Sequence, residues 1–197
     1  MNISALQKER AKYHPKLPKS LKGAVKLVEG AKTESVSDPK EIAELFPNTY
    51  GMPLITFEEG TDTGAKKPVN VGVILSGGQA PGGHNVISGI FDGIKKINSK
   101  SKLFGFLGGP GGLVDHDYIE LTAEIIDEYR NTGGFDIIGS GRTKLDEHKQ
   151  FDKGLEIAKD LGLNALVVIG GDDSNTNACV LAEYYVAKNV GVQVIGC

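Results

Sequence analysis

The sequence predicts an α/β protein: a parallel sheet with helices on both of its faces. Three observations predict it. From Val71 onward, short apolar runs alternate with segments whose apolar residues recur at spacings of three and four. The helical segments run about 12–16 residues, enough for the crossover between parallel strands. Glycine clusters follow the runs, and glycine is abundant throughout, 27 of 197 residues against a usual share of about 7%.

The elements follow in order. Residues 71–75 (Val-Gly-Val-Ile-Leu) form a first strand ending in Ser76-Gly-Gly, and Val86, Ile87, Ile90, Phe91, Ile94 and Ile97 mark the helix after it. Residues 102–107 are a second strand, followed by the glycine-rich loop 108–112. Asp117 is the expected cap of a helix through Ile125, Ile126 and Tyr129. Residues 135–138 (Phe-Asp-Ile-Ile) read as a third, short strand, and Phe151, Leu155, Ala158 and Leu161 as a third helix. A fourth strand at 165–169, a fourth helix at 175–188 and a fifth strand at 190–195 complete the series.

Residues 1–70 differ. They hold six of the eight prolines (Pro15, Pro18, Pro39, Pro47, Pro53, Pro68). Asp38-Pro39 reads as an N-cap with proline at the first helical position, residues 21–28 as a short helix, and 58–67 as a polar loop. The expected organisation is a mostly helical or irregular extension over 1–70 and an α/β domain over 71–197. The last strand pattern stops on Cys197, so that domain reads as truncated at its C-terminal end, a piece of a longer protein.

Composition excludes several classes. Apolar residues are 40% and charged residues 24%, with 22 basic against 25 acidic side chains and a net charge of −3. Only Arg10, Arg130 and Arg142 are arginines, so no basic field exists for a nucleic-acid backbone. The densest apolar stretch, 165–169, is far short of the roughly 18 residues of a membrane span. The polar start lacks the apolar region of a secretory signal, and the expectation is a cytoplasmic protein. Cys179 and Cys197 make neither a disulfide framework nor a metal site, and Cys179 reads as a buried small hydrophobe.

In parallel sheets, ligands sit beyond the carboxyl ends of the strands, where this sequence concentrates its glycine. Glycine lets backbone N–H groups approach an anion, and helix N-termini add partial positive charge, so the arrangement predicts a phosphorylated ligand. Ser76-Gly-Gly-Gln-Ala-Pro-Gly-Gly-His-Asn85 lacks the Gly-Lys-Ser/Thr of a P-loop and the spacing of a dinucleotide fingerprint. It is expected to offer Gly77 and Gly78 to a phosphate, with His84 a hydrogen-bonding residue at the helix start or, as the alternative, a further phosphate contact. Gly170-Gly-Asp-Asp-Ser-Asn-Thr-Asn-Ala178 places two carboxylates at a helix N-terminus. They serve either as caps or, for one of them, as a magnesium ligand. In Gly139-Ser-Gly-Arg-Thr-Lys144, the planar fork of Arg142 suits a phosphate, with Lys144 as a further charge; the plain alternative is a surface arginine beside glycines.

Residues 77–85 and 170–174 together resemble the phosphofructokinase family, and within it the long, pyrophosphate-dependent branch. The resemblance covers 71–197 and implies a Rossmann-like sheet of the phosphofructokinase type. It implies a reversible, Mg²⁺-dependent transfer from pyrophosphate to the 1-hydroxyl of fructose 6-phosphate, a step of glycolysis, by a cytoplasmic homo-oligomer. Carried over by position, Gly78 would contact the phosphoryl donor and Asp172 would serve Mg²⁺; together with Gly77, Arg142 and Ser174, Gly78 makes up the expected pyrophosphate site. Asp173 stands where ATP-using relatives have glycine and would exclude the α-phosphate of a nucleotide. Like unit charges 4 Å apart repel by about 4 kcal/mol at an effective dielectric near 20, roughly a thousandfold in affinity. The resemblance also implies a Pro-Lys-Thr-Ile-Asp-Gly-Asp segment, with the general base, beyond Cys197, so the 197-residue chain alone is expected to be inactive. The rival readings are an ATP-dependent kinase of the same fold, a non-catalytic regulatory subunit, and a plain nucleotide-binding domain.

Overall fold

The computed structural model describes residues 4–197. Two compact units appear: His14–Lys66, and residues 4–13 together with Lys67–Cys197.

In the smaller unit, strand β1 (Val25–Lys32) pairs antiparallel with β2 (Pro53–Glu59), placing Leu27 opposite Phe57. The helix expected over 21–28 is therefore a strand in its second half. Gly23 interrupts any helix there, and Val25, Leu27 and Glu29 alternate with Lys26 and Val28, a period of two that a partner strand can use. Helix α2 (Pro39–Leu45) starts where Asp38-Pro39 predicts. Asp38 makes no side-chain cap, however, since it lies in the left-handed region at φ 51°.

The larger unit is built on a five-stranded sheet. Its strands are β3 (Asn70–Leu75), β4 (Lys102–Phe106), β5 (Tyr118–Glu120), β6 (Ala165–Ile169) and β7 (Gln193–Gly196), in the order β5-β4-β3-β6-β7. All pairings are parallel except that of β5, an antiparallel edge strand on β4. Alternation along the strands sends side chains to two cores. Ile74, Phe104, Phe106, Leu166 and Val168 meet α4 (Pro110–Asp115), α6 (His148–Asp160) and α7 (Asp172–Ala187). Val73, Leu75, Leu103, Val167 and Ile169 meet α3 (Gly83–Ile97) and α5 (Ala123–Tyr129) on the opposite face. This is the expected α/β layering, with helices on both sides.

Three local expectations are overturned. Residues 135–138 form no strand, although Phe135, Ile137 and Ile138 are buried. The amides of Asp136 and Ile137 bond to the imidazole of His84 instead of to a neighbouring strand, and β5 occupies the outer edge of β4. Asp117 does not cap the following helix. Its backbone closes the turn from α4 into β5, and the N-cap of α5 is Thr122. Cys179 is exposed rather than buried, because it falls on the outer side of α7 while Ala178 and Leu181 point into the core.

Helix α1 (Ala5–Arg10), capped by Ser4, lies against the end of α5: the Gln7 amide donates to the Glu128 carbonyl, and Asn131 donates to the carbonyls of Arg10 and Tyr13. Within the core, the hydroxyl of Tyr185 is buried with no hydrogen-bond partner among the described residues. Burial also pushes its ionisation well above the usual phenol value. Leaving a buried hydroxyl unpaired costs about 1–3 kcal/mol. Tyr185→Phe is accordingly expected to raise stability by about 1 kcal/mol in urea unfolding. A loss of stability instead would mean that the hydroxyl is paired in solution.

Candidate active site

The sheet ends in a cleft of about 750 Å³ beyond the carboxyl ends of β3 and β6. Its walls are the Ser76–Gly83 loop leading into α3, the Gly170–Ser174 turn leading into α7, Phe135, Arg142 and Cys197. That volume lies within the range of about 300–1,000 Å³ usual for small-molecule sites.

Each wall has a local cause. Gly77 lies at φ 92°, a conformation that side chains other than glycine rarely adopt, and its amide donates to the Gly141 carbonyl at 2.8 Å. Ser76 continues the ladder by donating to the Ile169 carbonyl at 2.8 Å. The Ser174 hydroxyl bonds that of Ser76 at 2.8 Å, tying the first turn of α7 to the end of β3. Asn175 donates to the carbonyls of Gly170 and Gly171, and Gly170 donates to that of Cys197. The two turns are thus held rigidly to each other.

The cleft is anion-binding in character. Helices α3 and α7 both begin at it, on Gly82 and Gly171, and neither start is capped by a side chain. The first-turn amides of α7 and the dipoles of both helices favour an anion, while at α3 the amides of Gly82 and His84 are taken by the carbonyls of Gly133 and Gly134. Among the described residues, Arg142 is the one cationic side chain lining the cleft. A Cβ added to Gly78 would lie 2.8 Å from its Nη2, so the guanidinium lies directly against the Gly78 backbone. By contrast, Arg130 is held in a bidentate pair with Asp92 at 2.7 and 3.0 Å and bonded to Asp127, which raises its ionisation further.

Asp172 and Asp173 open the first turn of α7, exposed and lining the cleft, and their carboxylates have no partner among the described residues. The capping alternative therefore fails as geometry: the N-cap is Gly171, and the carboxylates only complement the helix dipole. No group of three or more His, Cys, Asp or Glu side chains among the described residues could cage a metal. That is compatible with Mg²⁺, which binds through one or two carboxylates plus substrate phosphates. Charge points the same way. Among the described residues lining the cleft, two carboxylates accompany one guanidinium, a balance that leaves the charge of a phosphate ligand largely unneutralised.

The structure brings together Gly77, Gly78, Arg142, Asp172, Asp173 and Ser174 at this cleft. The hydroxyl of Ser174 is turned onto Ser76. Lys144 does not line the cleft, nor do the loops 108–112 and 139–141. Those two glycine clusters serve each other. A Cβ on Gly109 would sit 2.4 Å from the Gly141 nitrogen, and one on Gly141 would sit 2.0 Å from the Gly108 oxygen. Two of the four glycine clusters are therefore close backbone crossings rather than phosphate cradles. Phe135 and Cys197 are site residues that no sequence motif marks.

A family profile described as phosphofructokinase matches residues 70–197. The chain belongs to the phosphofructokinase family. Among curated proteins of known name, this family member is 66% identical over 197 residues to a pyrophosphate–fructose 6-phosphate 1-phosphotransferase of Porphyromonas gingivalis. It is 48% identical over 198 residues to the enzyme of the same name from Entamoeba histolytica. All of this phosphofructokinase chain is covered in both comparisons, yet it spans 36% of the length of each relative. The crystal structure of a pyrophosphate-dependent phosphofructokinase from Marinobacter aquaeolei matches with a TM-score of 0.56 at 18% identity, over 65% of this chain and 32% of that one. One from Nitrosospira multiformis matches with 0.57 at 20%, over 64% and 32%. These two show the phosphofructokinase fold.

Proposed function

We propose that the protein to which this chain belongs transfers a phosphoryl group from pyrophosphate to the 1-hydroxyl of fructose 6-phosphate. The products are fructose 1,6-bisphosphate and phosphate, and the reaction is a reversible step of glycolysis and gluconeogenesis. The observation that carries the reading is the unpartnered Asp172–Asp173 pair, at an uncapped helix start, in the same cleft as Arg142 and Gly78. The names of the relatives support it, since they state both substrates.

In this reading, residues 71–197 are the part that binds the phosphoryl donor and residues 1–70 an extension of it. The Gly78 amide and the fork of Arg142 hold pyrophosphate, and Gly77, whose own amide is taken by the Gly141 carbonyl, lets the backbone pass close beside it. Ser174, hydrogen-bonded to Ser76, fixes the turn beside it. Asp172 holds Mg²⁺, which when bound neutralises charge on the phosphates. Asp173 puts a fixed negative charge where a longer donor would extend. Phosphoryl transfer depends mostly on positioning and charge stabilisation, and a rigid cleft of backbone amides supplies both. The base that takes the proton of the sugar hydroxyl lies in this reading beyond Cys197.

Plant relatives are named as α and β subunits. The chain is 51% identical to subunit beta 1 and 39% to subunit alpha 2 of Arabidopsis thaliana. Those names support an assembled enzyme, here a homo-oligomer, and the reading places it in the cytoplasm. No helix among the described residues is long and apolar enough to cross a membrane.

The test uses the full-length protein with fructose 6-phosphate, Mg²⁺ and either pyrophosphate or ATP, following bisphosphate formation. Turnover with pyrophosphate and little with ATP is expected. Turnover with ATP alone would overturn the donor assignment, and silence with both would favour a non-catalytic subunit.

A further inference from the structure

The segment 132–142 has no regular secondary structure, yet it carries two walls of the cleft, Phe135 and Arg142. One buried side chain makes three hydrogen bonds to it. His84, in the first turn of α3, is 2% exposed. Its Nε2 receives the amides of Asp136 at 2.9 Å and Ile137 at 3.0 Å, and its Nδ1 lies 2.6 Å from the Thr132 hydroxyl. Amides only donate, so Nε2 must be the acceptor. The Thr132 hydroxyl donates to the Tyr129 carbonyl at 2.5 Å and so accepts from Nδ1. The two amides and burial favour the neutral imidazole with its proton on Nδ1, and the Asp136 carboxylate, 2.9 Å from Nε2, opposes it.

Around it the backbone is stitched the same way: Gly82 donates to the Gly133 carbonyl and His84 to that of Gly134. Phe135 is pressed onto the helix start so closely that a Cβ on Gly83 would lie 2.3 Å from its ring. Immediately downstream, the Ile138 carbonyl takes the amide of Gly108, and the Gly141 carbonyl takes that of Gly77. Arg142 follows and reaches Gly78.

We infer that His84 is a positioning residue for the phosphoryl-donor cleft, holding segment 132–142 so that Phe135 and Arg142 face the ligand. The inference rests on reading that cleft as the donor site. It also assigns work to a histidine that touches no ligand. Two neighbours bear on its charge: the Asp136 carboxylate, 2.9 Å from Nε2, and the edge-on Tyr129 ring with centroids 4.9 Å apart. Burial holds the imidazole below its usual value of 6.5, and Asp136 opposes this. Protonation would turn Nε2 into a donor toward Asp136 and evict both amides. The clamp is thus complete above the usual imidazole value and is lost as pH falls through the lowered one.

The experiment compares full-length wild type, His84→Leu and His84→Gln. Leucine removes the acceptor, and KM for pyrophosphate is expected to rise about tenfold or more, with KM for fructose 6-phosphate changing less than about twofold. Glutamine offers a non-titrating acceptor. It is expected to restore most of the pyrophosphate affinity and to abolish the part of the acid-side rise in KM that wild type shows beyond the protonation of pyrophosphate itself. Equal effects on both substrates, or an acid-side rise identical in wild type and His84→Gln, would overturn the inference. If His84→Leu does not fold, the pH comparison of the other two decides. If the enzyme proves to use ATP, the function reading fails while this inference is tested unchanged, with KM for ATP as the readout.

Discussion

Asp173→Gly in the full-length protein is expected to shift phosphoryl-donor preference toward ATP by between about tenfold and a thousandfold, read as the ratio of kcat/KM for ATP to that for pyrophosphate. The upper figure is the repulsion of two unit charges about 4 Å apart at an effective dielectric near 20, and solvent at an exposed site reduces it. The geometry makes the experiment clean. Asp173 lies in the first turn of α7, lines the cleft, and has no side-chain partner whose loss would disturb the fold. The cost to α7 is the lost acidic charge at the helix start and the lower helix propensity of glycine, together about 1 kcal/mol. An unchanged donor ratio would remove Asp173 from the specificity argument and leave its carboxylate as a complement to the helix dipole.

Asp172→Asn is expected to lower kcat by about a hundred- to a thousandfold, the usual loss when one charge-stabilising group is removed from a reaction centre. The Mg²⁺ concentration for half-maximal rate should rise with it, because the amide keeps the shape of the carboxylate and loses its charge. Stability should barely change. The Asp172 carboxylate makes no hydrogen bond or ion pair among the described residues, and it is the backbone carbonyl that accepts from Thr176. A thermal midpoint within a few degrees of wild type, beside a large loss of rate, separates chemistry from folding. Full activity at ordinary Mg²⁺ would mean that the metal is held elsewhere.

Both variants act on residues legible in the sequence, and the reason is local. Gly170-Gly follows a five-residue apolar run and Asp-Asp-Ser opens a 16-residue helix, so the turn and its carboxylates had to fall at the carboxyl end of a strand. The same applies to Ser76-Gly-Gly, between β3 and α3. Arg142 is a different case. Its residue type suggested an anion, but nothing in Gly139-Ser-Gly-Arg-Thr-Lys144 distinguishes Arg142 in the cleft from Lys144 outside it. That choice depends on the Gly141 carbonyl taking the amide of Gly77, a contact between residues far apart in the chain.

Strand 135–138 was misread for a related reason. Its composition suits a strand, and period and length cannot tell a strand from a buried irregular segment whose amides are satisfied by a side chain. The acceptor is His84, 52 residues away from Asp136. The hairpin in the smaller unit is not legible because the adjacent Leu27 and Val28 break the apolar alternation of β1 and its partner, β2, lies beyond α2. The glycine-rich loops show the same limit most sharply. A glycine needed for a phosphate and a glycine needed for a backbone crossing are the same residue, and only the 2.4 Å that would separate a Cβ on Gly109 from the Gly141 nitrogen tells them apart.

By itself, then, the sequence determined the alternation of strands and helices, the glycine turns at the strand ends, and the carboxylate pair at the start of α7. These follow from apolar periodicity and from the backbone freedom of glycine, which act over a few neighbouring residues. The tertiary structure alone decided which loops line the cleft, where Arg142 reaches, and what holds Phe135 in place. Those outcomes rest on hydrogen bonds and close contacts between residues tens of positions apart, and no local pattern encodes them.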